Sequence, residues 1–172
     1  PHDDKAAWAR AKKAAPWWSP AMVSVGIDLK KNTSGSVPFQ GNTQPYPIFV
    51  STPEGSNDLA YGLTKAVMEN YEEFKESGPS MGGYQLKRQN LTWVFPYHDG
   101  AIAYYKEKGT WTAEHDAHNA MMHKRQGVLK AAWEAHGAAN GGMSDEEFGK
   151  AWQPARVAAL EAAGMPVPFR SW

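Results

Sequence analysis

The sequence predicts an α/β body with an added C-terminal helical hairpin, and three patterns in its 172 residues carry that prediction. Two short runs, 21–27 (Met22, Val23, Val25, Ile27) and 46–51 (Tyr46, Ile48, Phe49, Val50), have strand character. A segment over 57–77 places Leu59, Leu63, Ala66, Val67, Asn70 and Phe74 on one face at helical spacing. Beyond residue 110 the patterning is helical only, which gives the hairpin.

The elements follow in order. Asp3 or Asp4 caps a first helix that runs to about residue 15, where Pro16 ends it; Lys5, Arg10, Lys12 and Lys13 read as its solvated face. Trp17-Trp18-Ser19-Pro20 is then an aromatic corner between two prolines, suited either to a pocket wall or to a plug beneath a loop. The first strand is followed by a polar, turn-rich loop over 28–44, longer than compact domains ordinarily use. The second strand, 46–51, does not alternate, as expected of one buried on both faces.

Ser56, Asn57 and Asp58 supply cap chemistry for the 57–77 helix, Gly78-Pro79 stops it, and Glu69, Glu72, Glu73 and Glu76 fall mostly on its solvated side. A further apolar run, 91–95, is cut by Pro96. His98, Asp99 and Gly100 then offer turn and cap chemistry before a short helix carrying Tyr104 and Tyr105, with Gly109 placed to end it in left-handed geometry. The order there is strand, turn, helix, stop. Thr110 or Thr112 caps a helix of roughly 111–136, whose stripe passes through His118, Met122, Val128, Leu129 and Trp133. Ser144 with Glu147 forms a capping box for the last helix, which Pro154 is expected to bend or restart and Gly164 to end.

Composition excludes several functions. Lys+Arg and Asp+Glu are 18 each, so there is no global basic field to attract nucleic acid. With no cysteine there is no disulfide and no thiolate chemistry, and no apolar run approaches the roughly 20 residues that span a bilayer. The phosphate-binding patterns GxGxxG and GxxxxGK[ST] are missing, as are GxSxG and HExxH, and His98-Asp99 lacks a nucleophile to serve. His115, His118 and His123 invite a zinc reading, but on a helix His115 and His118 lie about 60° apart while His123 turns the other way, so at most two ligands converge. No cofactor is expected. Eight Trp, seven Tyr and six Phe supply many flat surfaces for a core, an interface or a ligand cleft.

The run Tyr97-His98-Asp99-Gly100-Ala101, followed by Tyr104-Tyr105-Lys106-Glu107-Lys108-Gly109, resembles a segment of the TAXI-type solute-binding proteins of TRAP transporters, in which a Pro-x-His-Pro-Gly-Ala turn precedes a Tyr-Tyr-x-Glu helix. Lys65-Ala66-Val67-Met68-Glu69-Asn70 is similar to that family's central helix, and Pro16-Trp17-Trp18 to its lead-in to a crossing strand; the likeness covers about residues 3–109. Asp99 stands where the family usually has Pro, and Gly26-Ile27-Asp28-Leu29 where it has Ala-Gly-Thr-Tyr.

The resemblance implies a type II periplasmic-binding lobe, with helices packed on a mixed sheet, over 1–109, and a helical extension over 110–172. It implies the C-terminal part of a two-lobed, non-catalytic receptor in the periplasm. Such a receptor binds a small organic solute, of organic-acid or amino-acid class, and delivers it to TRAP transporter membrane subunits. The remaining half of the receptor, or a second copy, is an expected partner. On that reading Trp17, Trp18, Ser24, Asp28 and Tyr46 lie near the cleft, Arg88 or Arg125 meets an anionic solute, and His98 ties the turn. The alternatives are a protein-interaction module whose helical tail docks a partner through Trp111, Trp133 and Trp152, and a metal-dependent enzyme using the His cluster.

Overall fold

The computed structural model describes residues 1–23, 38–43, 48–78 and 81–170. Helix α1, Lys5–Ala14, starts where the Asp4 carboxylate accepts the Ala7 N–H at 2.8 Å. Its basic residues are exposed, as their spacing predicts. Strand β1, Ser19–Val23, pairs antiparallel with β2, Phe39–Thr43, in the register Ser19↔Thr43 to Val23↔Phe39. The N-terminus closes on this ribbon, with His2 N–H donating to Gln40 Oε1 at 2.9 Å and the His2 ring on the Gly41 carbonyl at 2.8 Å.

Among the described residues this ribbon is the whole sheet, smaller than the mixed sheet expected. The fold of the described residues is mainly helical with a small two-stranded sheet. The strand expected over 21–27 forms only to Val23, its remainder lying outside the described residues, and β2 emerges within the stretch read as loop. Residues 48–51 and 91–95 form no strand. A strand needs a neighbour for its N–H and C=O groups, and no described segment lies alongside either run to supply one.

Helix α2, Asn57–Glu69, is capped by Ser56 Oγ accepting from Leu59 N–H. It ends earlier than the periodicity predicts, because the Asn70 amide donates to the Ala66 carbonyl at 2.7 Å and the backbone leaves helical geometry there. A separate turn, α3, covers Tyr71–Phe74. The apolar stripe of α2 is not its buried side: Leu59 is 70% exposed, and the helix docks on α4, Asp99–Glu107, with Tyr61 and Met68 against the core. The stripe suits packing on a sheet, and no described strand lies beneath it.

The core joins Leu91, Ile102, Tyr104, Tyr105 and Trp111, with Tyr97 packed edge-on to Tyr105 at 5.7 Å and to Trp111 at 5.5 Å. Gly109, at φ +68°, stops α4 in the left-handed region where glycine carries no Cβ penalty. Helix α5, Ala113–Asn140, and α6, Asp145–Ala162, form the expected hairpin, with Trp133 and Trp152 edge-to-face at 5.0 Å. The Ser144–Glu147 capping box is present. Pro154 does not interrupt α6; it sits on the exposed side, where the carbonyl it leaves without a partner is open to water.

One link between α4 and α5 carries a pH signature. Asp116 accepts the Trp111 indole N–H at 2.8 Å and lies 3.0 Å from Lys106 Nζ. These two donors, the indole foremost, hold its carboxyl below the usual carboxylate range. A depressed carboxyl stabilises the fold fully above its unfolded pKa and loses that contribution as pH falls through the folded one, here below about pH 4. Asp116→Asn keeps an acceptor for the indole and removes the charge. The melting temperature of this variant is expected to fall less steeply below pH 4 than that of the parent; parallel acid limbs would show that the link does not matter.

Candidate functional site

The most enclosed concavity among the described residues is a cavity of about 410 Å³ bounded by residues 48–51, by α2 and by the chain from Tyr84 to His98. Its volume lies within the range of small-molecule sites. Helix α2 turns Leu63, Thr64, Val67 and Met68 toward it, so part of the uncovered stripe of that helix, Leu63 and Val67, is cavity wall. Facing it are Phe49, stacked on Tyr84 at 5.4 Å, together with Trp93, Phe95 and Tyr97. Tyr105 contributes from the core and Gln126 from α5.

Local bonds fix this wall. His98 caps α4: its Nδ1 accepts the Gly100 N–H at 3.2 Å, while its Nε2 bonds the Gly55 carbonyl at 2.9 Å. An accepting Nδ1 together with a donating Nε2 assigns the neutral Nε2–H tautomer. This is the turn-tying role read from the sequence. From α5, His118 Nε2 bonds the Trp93 carbonyl at 2.7 Å and Asn119 Oδ1 accepts the Tyr97 N–H at 2.7 Å. The Tyr97 hydroxyl donates to the Asn90 carbonyl at 2.8 Å. Burial pushes the Tyr97 phenol up to about 12 and the Tyr105 phenol higher still, so both remain protonated at neutral pH.

Behind Trp93 the aromatic packing continues. Trp17 meets it edge-on at 5.7 Å, and Phe169 lies 5.3 Å beyond Trp17. The tail carrying Phe169 is strapped by Arg156, whose guanidinium donates to the Pro168 and Phe169 carbonyls, and by Arg125, which donates to Pro166 O at 3.1 Å. The Trp93 indole N–H is buried with no hydrogen-bond partner among the described residues.

Of the site residues expected from sequence, Trp17, Trp18 and Arg88 are not among the described lining residues of this cavity. Trp17 backs its wall, and Trp18 borders a separate hollow of about 210 Å³ with His2 and Trp8. Arg88, in the 3₁₀ turn Leu86–Arg88, lies against Gly82. Ser24, Asp28 and Tyr46 lie outside the described residues. Arg125, the other cation considered for an anion, serves the tail. The residues that sequence reasoning missed, Leu63, Val67, Trp93 and Phe95, carried a signal: an apolar helix face and an apolar run, with only two predicted strands to cover both.

His115 and His136 have structural partners. Thr112 N–H donates to His115 Nδ1 at 3.0 Å, and His136 bonds the Phe148 carbonyl at 3.2 Å. Among the described residues no three His, Asp or Glu side chains are grouped to hold a metal ion. Trp111 lies in the core, and Trp152 packs on Trp133 inside the hairpin.

A family model, that of the NMT1-like family, matches residues 4–109. Every described lining residue of the cavity except Gln126 falls within that match. No curated protein and no solved structure matches the chain.

Proposed function

The chain belongs to the NMT1-like family, and from that membership together with the Tyr97-to-Gly109 motif we propose that it is an extracytoplasmic receptor that binds a small organic solute and passes it to a TRAP-type transporter. The family is of periplasmic-binding-protein type, a family of binding proteins rather than enzymes, which relates this chain to solute-binding proteins and implies a small-molecule ligand. The observation that carries the proposal is the cavity of about 410 Å³, whose described walls fall almost wholly inside the family match. Residues 1–109 form the receptor part on this reading and 110–172 a helical extension that braces it through His118 and Asn119. The finer assignments rest on the Tyr97-to-Gly109 motif: delivery to TRAP membrane subunits, a periplasmic location, and a solute of organic-acid or amino-acid class.

Trp17, Trp18, Ser24, Asp28, Tyr46 and Arg88 remain proposed contacts for the part of the solute that reaches beyond the cavity. The apolar face of Val50, Leu59 and Leu63, exposed in this chain, is covered on this reading by the other half of the receptor or by a second copy. No helix among the described residues is long and apolar enough to cross a membrane.

Filling the cavity tests the receptor reading. Val67→Trp places an indole in the wall of α2 and is expected to abolish any rise in melting temperature produced by a solute, while its far-UV circular dichroism stays that of the parent. A library of small organic acids, amino acids and their neutral analogues that shifts neither protein would sink the reading.

A further inference from the structure

We propose that the cavity receives an uncharged aromatic or branched apolar group of its solute and leaves any ionised group outside; the proposal rests on the receptor reading above and names the ligand chemistry of that same cavity. The first ground is what the walls present. Phe49 and Tyr84 stack, Trp93 and Val67 stand nearby, and Phe49 and Phe95 are 61% and 54% exposed. Exposed rings around a concavity gain most from a partner that removes apolar area from water.

The second ground is that several polar groups of the lining already serve the backbone. Thr64 Oγ1 donates to the Ala60 carbonyl at 2.7 Å, and the Gln89 amide nitrogen is held by the Gly83 and Gln85 carbonyls at 2.9 and 3.0 Å. The Tyr97 hydroxyl donates to Asn90 O, and both His98 ring nitrogens are engaged by Gly55 and Gly100. What these residues turn to the cavity is mainly carbon and ring surface.

The third ground is charge. No Asp, Glu, Lys or Arg is among the described lining residues, and burial keeps the Tyr97 and Tyr105 phenols protonated. A carboxylate or ammonium drawn inside would lose its hydration and meet no opposite charge. The exposed Gln126 amide stands at the outer end of the solute, and the Trp93 indole N–H, buried without a partner among the described residues, is an uncharged donor in the wall. An organic acid or amino acid satisfies these conditions only through an aromatic or branched side chain.

The test uses the full chain and four probes: phenylacetamide, phenylacetate, succinate and glutamate, titrated calorimetrically into the parent and into Val67→Trp. Phenylacetamide is expected to bind at least ~10-fold more tightly than phenylacetate, which shares its ring, the ratio corresponding to about 1.4 kcal/mol. Succinate and glutamate should bind more weakly still, and Val67→Trp should bind none of the four. If succinate or glutamate binds the parent best and Val67→Trp loses it, the cavity is a receptor site but the proposed ligand class is wrong. Phenylacetamide held equally by both proteins would put the ligand elsewhere and overturn the proposal. Binding of no probe would overturn it too, and the broader solute library then decides the receptor reading separately.

Discussion

Gly100→Ala is expected to destabilise the fold by about 3 kcal/mol, the upper part of the usual range for overpacking. A methyl group built on Gly100 would come 2.1 Å from the Asn57 carbonyl oxygen and 2.8 Å from the Tyr61 nitrogen, both backbone atoms at the start of α2. Side chains can swing aside, but the backbone of a capped helix moves only as a body. Relief would therefore separate α2 from α4 and disturb the cavity wall they share. Alanine's better helix propensity, worth about 1 kcal/mol, opposes the loss without matching it. Urea unfolding of both proteins measures the difference; a variant as stable as the parent would mean that α2 can shift freely.

Tyr104→Ala is expected to cost about 4 kcal/mol, in line with removal of a buried aromatic ring. Tyr104 is 1% exposed, meets Tyr61 of α2 edge-on at 6.1 Å and Tyr105 at 5.9 Å, and has Lys108 Nζ 5.3 Å above its ring. It is the main ring between α2 and α4, so its loss opens a void where no neighbour can collapse without breaking the helix contact. The comparison is Trp133→Ala at a 49% exposed ring, which should cost distinctly less despite the larger side chain. Equal losses at the two sites, read from denaturant midpoints, would contradict the assigned core.

The two predictions bear on the motif from Tyr97 to Gly109, whose parts were legible in the sequence to different degrees. His98 as cap, Asp99 in the first turn and Gly109 as stop were all readable, because each acts through a bond or a dihedral within a few residues. Gly100 read only as turn chemistry. Its reason for being glycine is the α2 backbone more than forty residues earlier, which no local pattern shows. The same division runs through the site. That α2 is amphipathic was plain; that its stripe faces a cavity rather than a sheet depends on where residues 48–51 and 91–95 travel.

By itself, the sequence determined the start of each long helix, the stop after α4, the hairpin at the C-terminus and the absence of thiol chemistry. These are set by caps, glycine conformations and composition, all short-range or additive. Only the tertiary structure decided that 48–51 is an unpaired wall, that Phe39–Thr43 is a strand and that Pro154 lies inside a helix. It also decided that Trp17 backs the cavity without lining it, and that α5 braces the wall through His118 and Asn119. Apart from Pro154, each of these depends on a distant partner: strand pairing, cavity walls and helix contacts join residues from 16 to more than 70 apart, and a side chain's role there is set by what it meets.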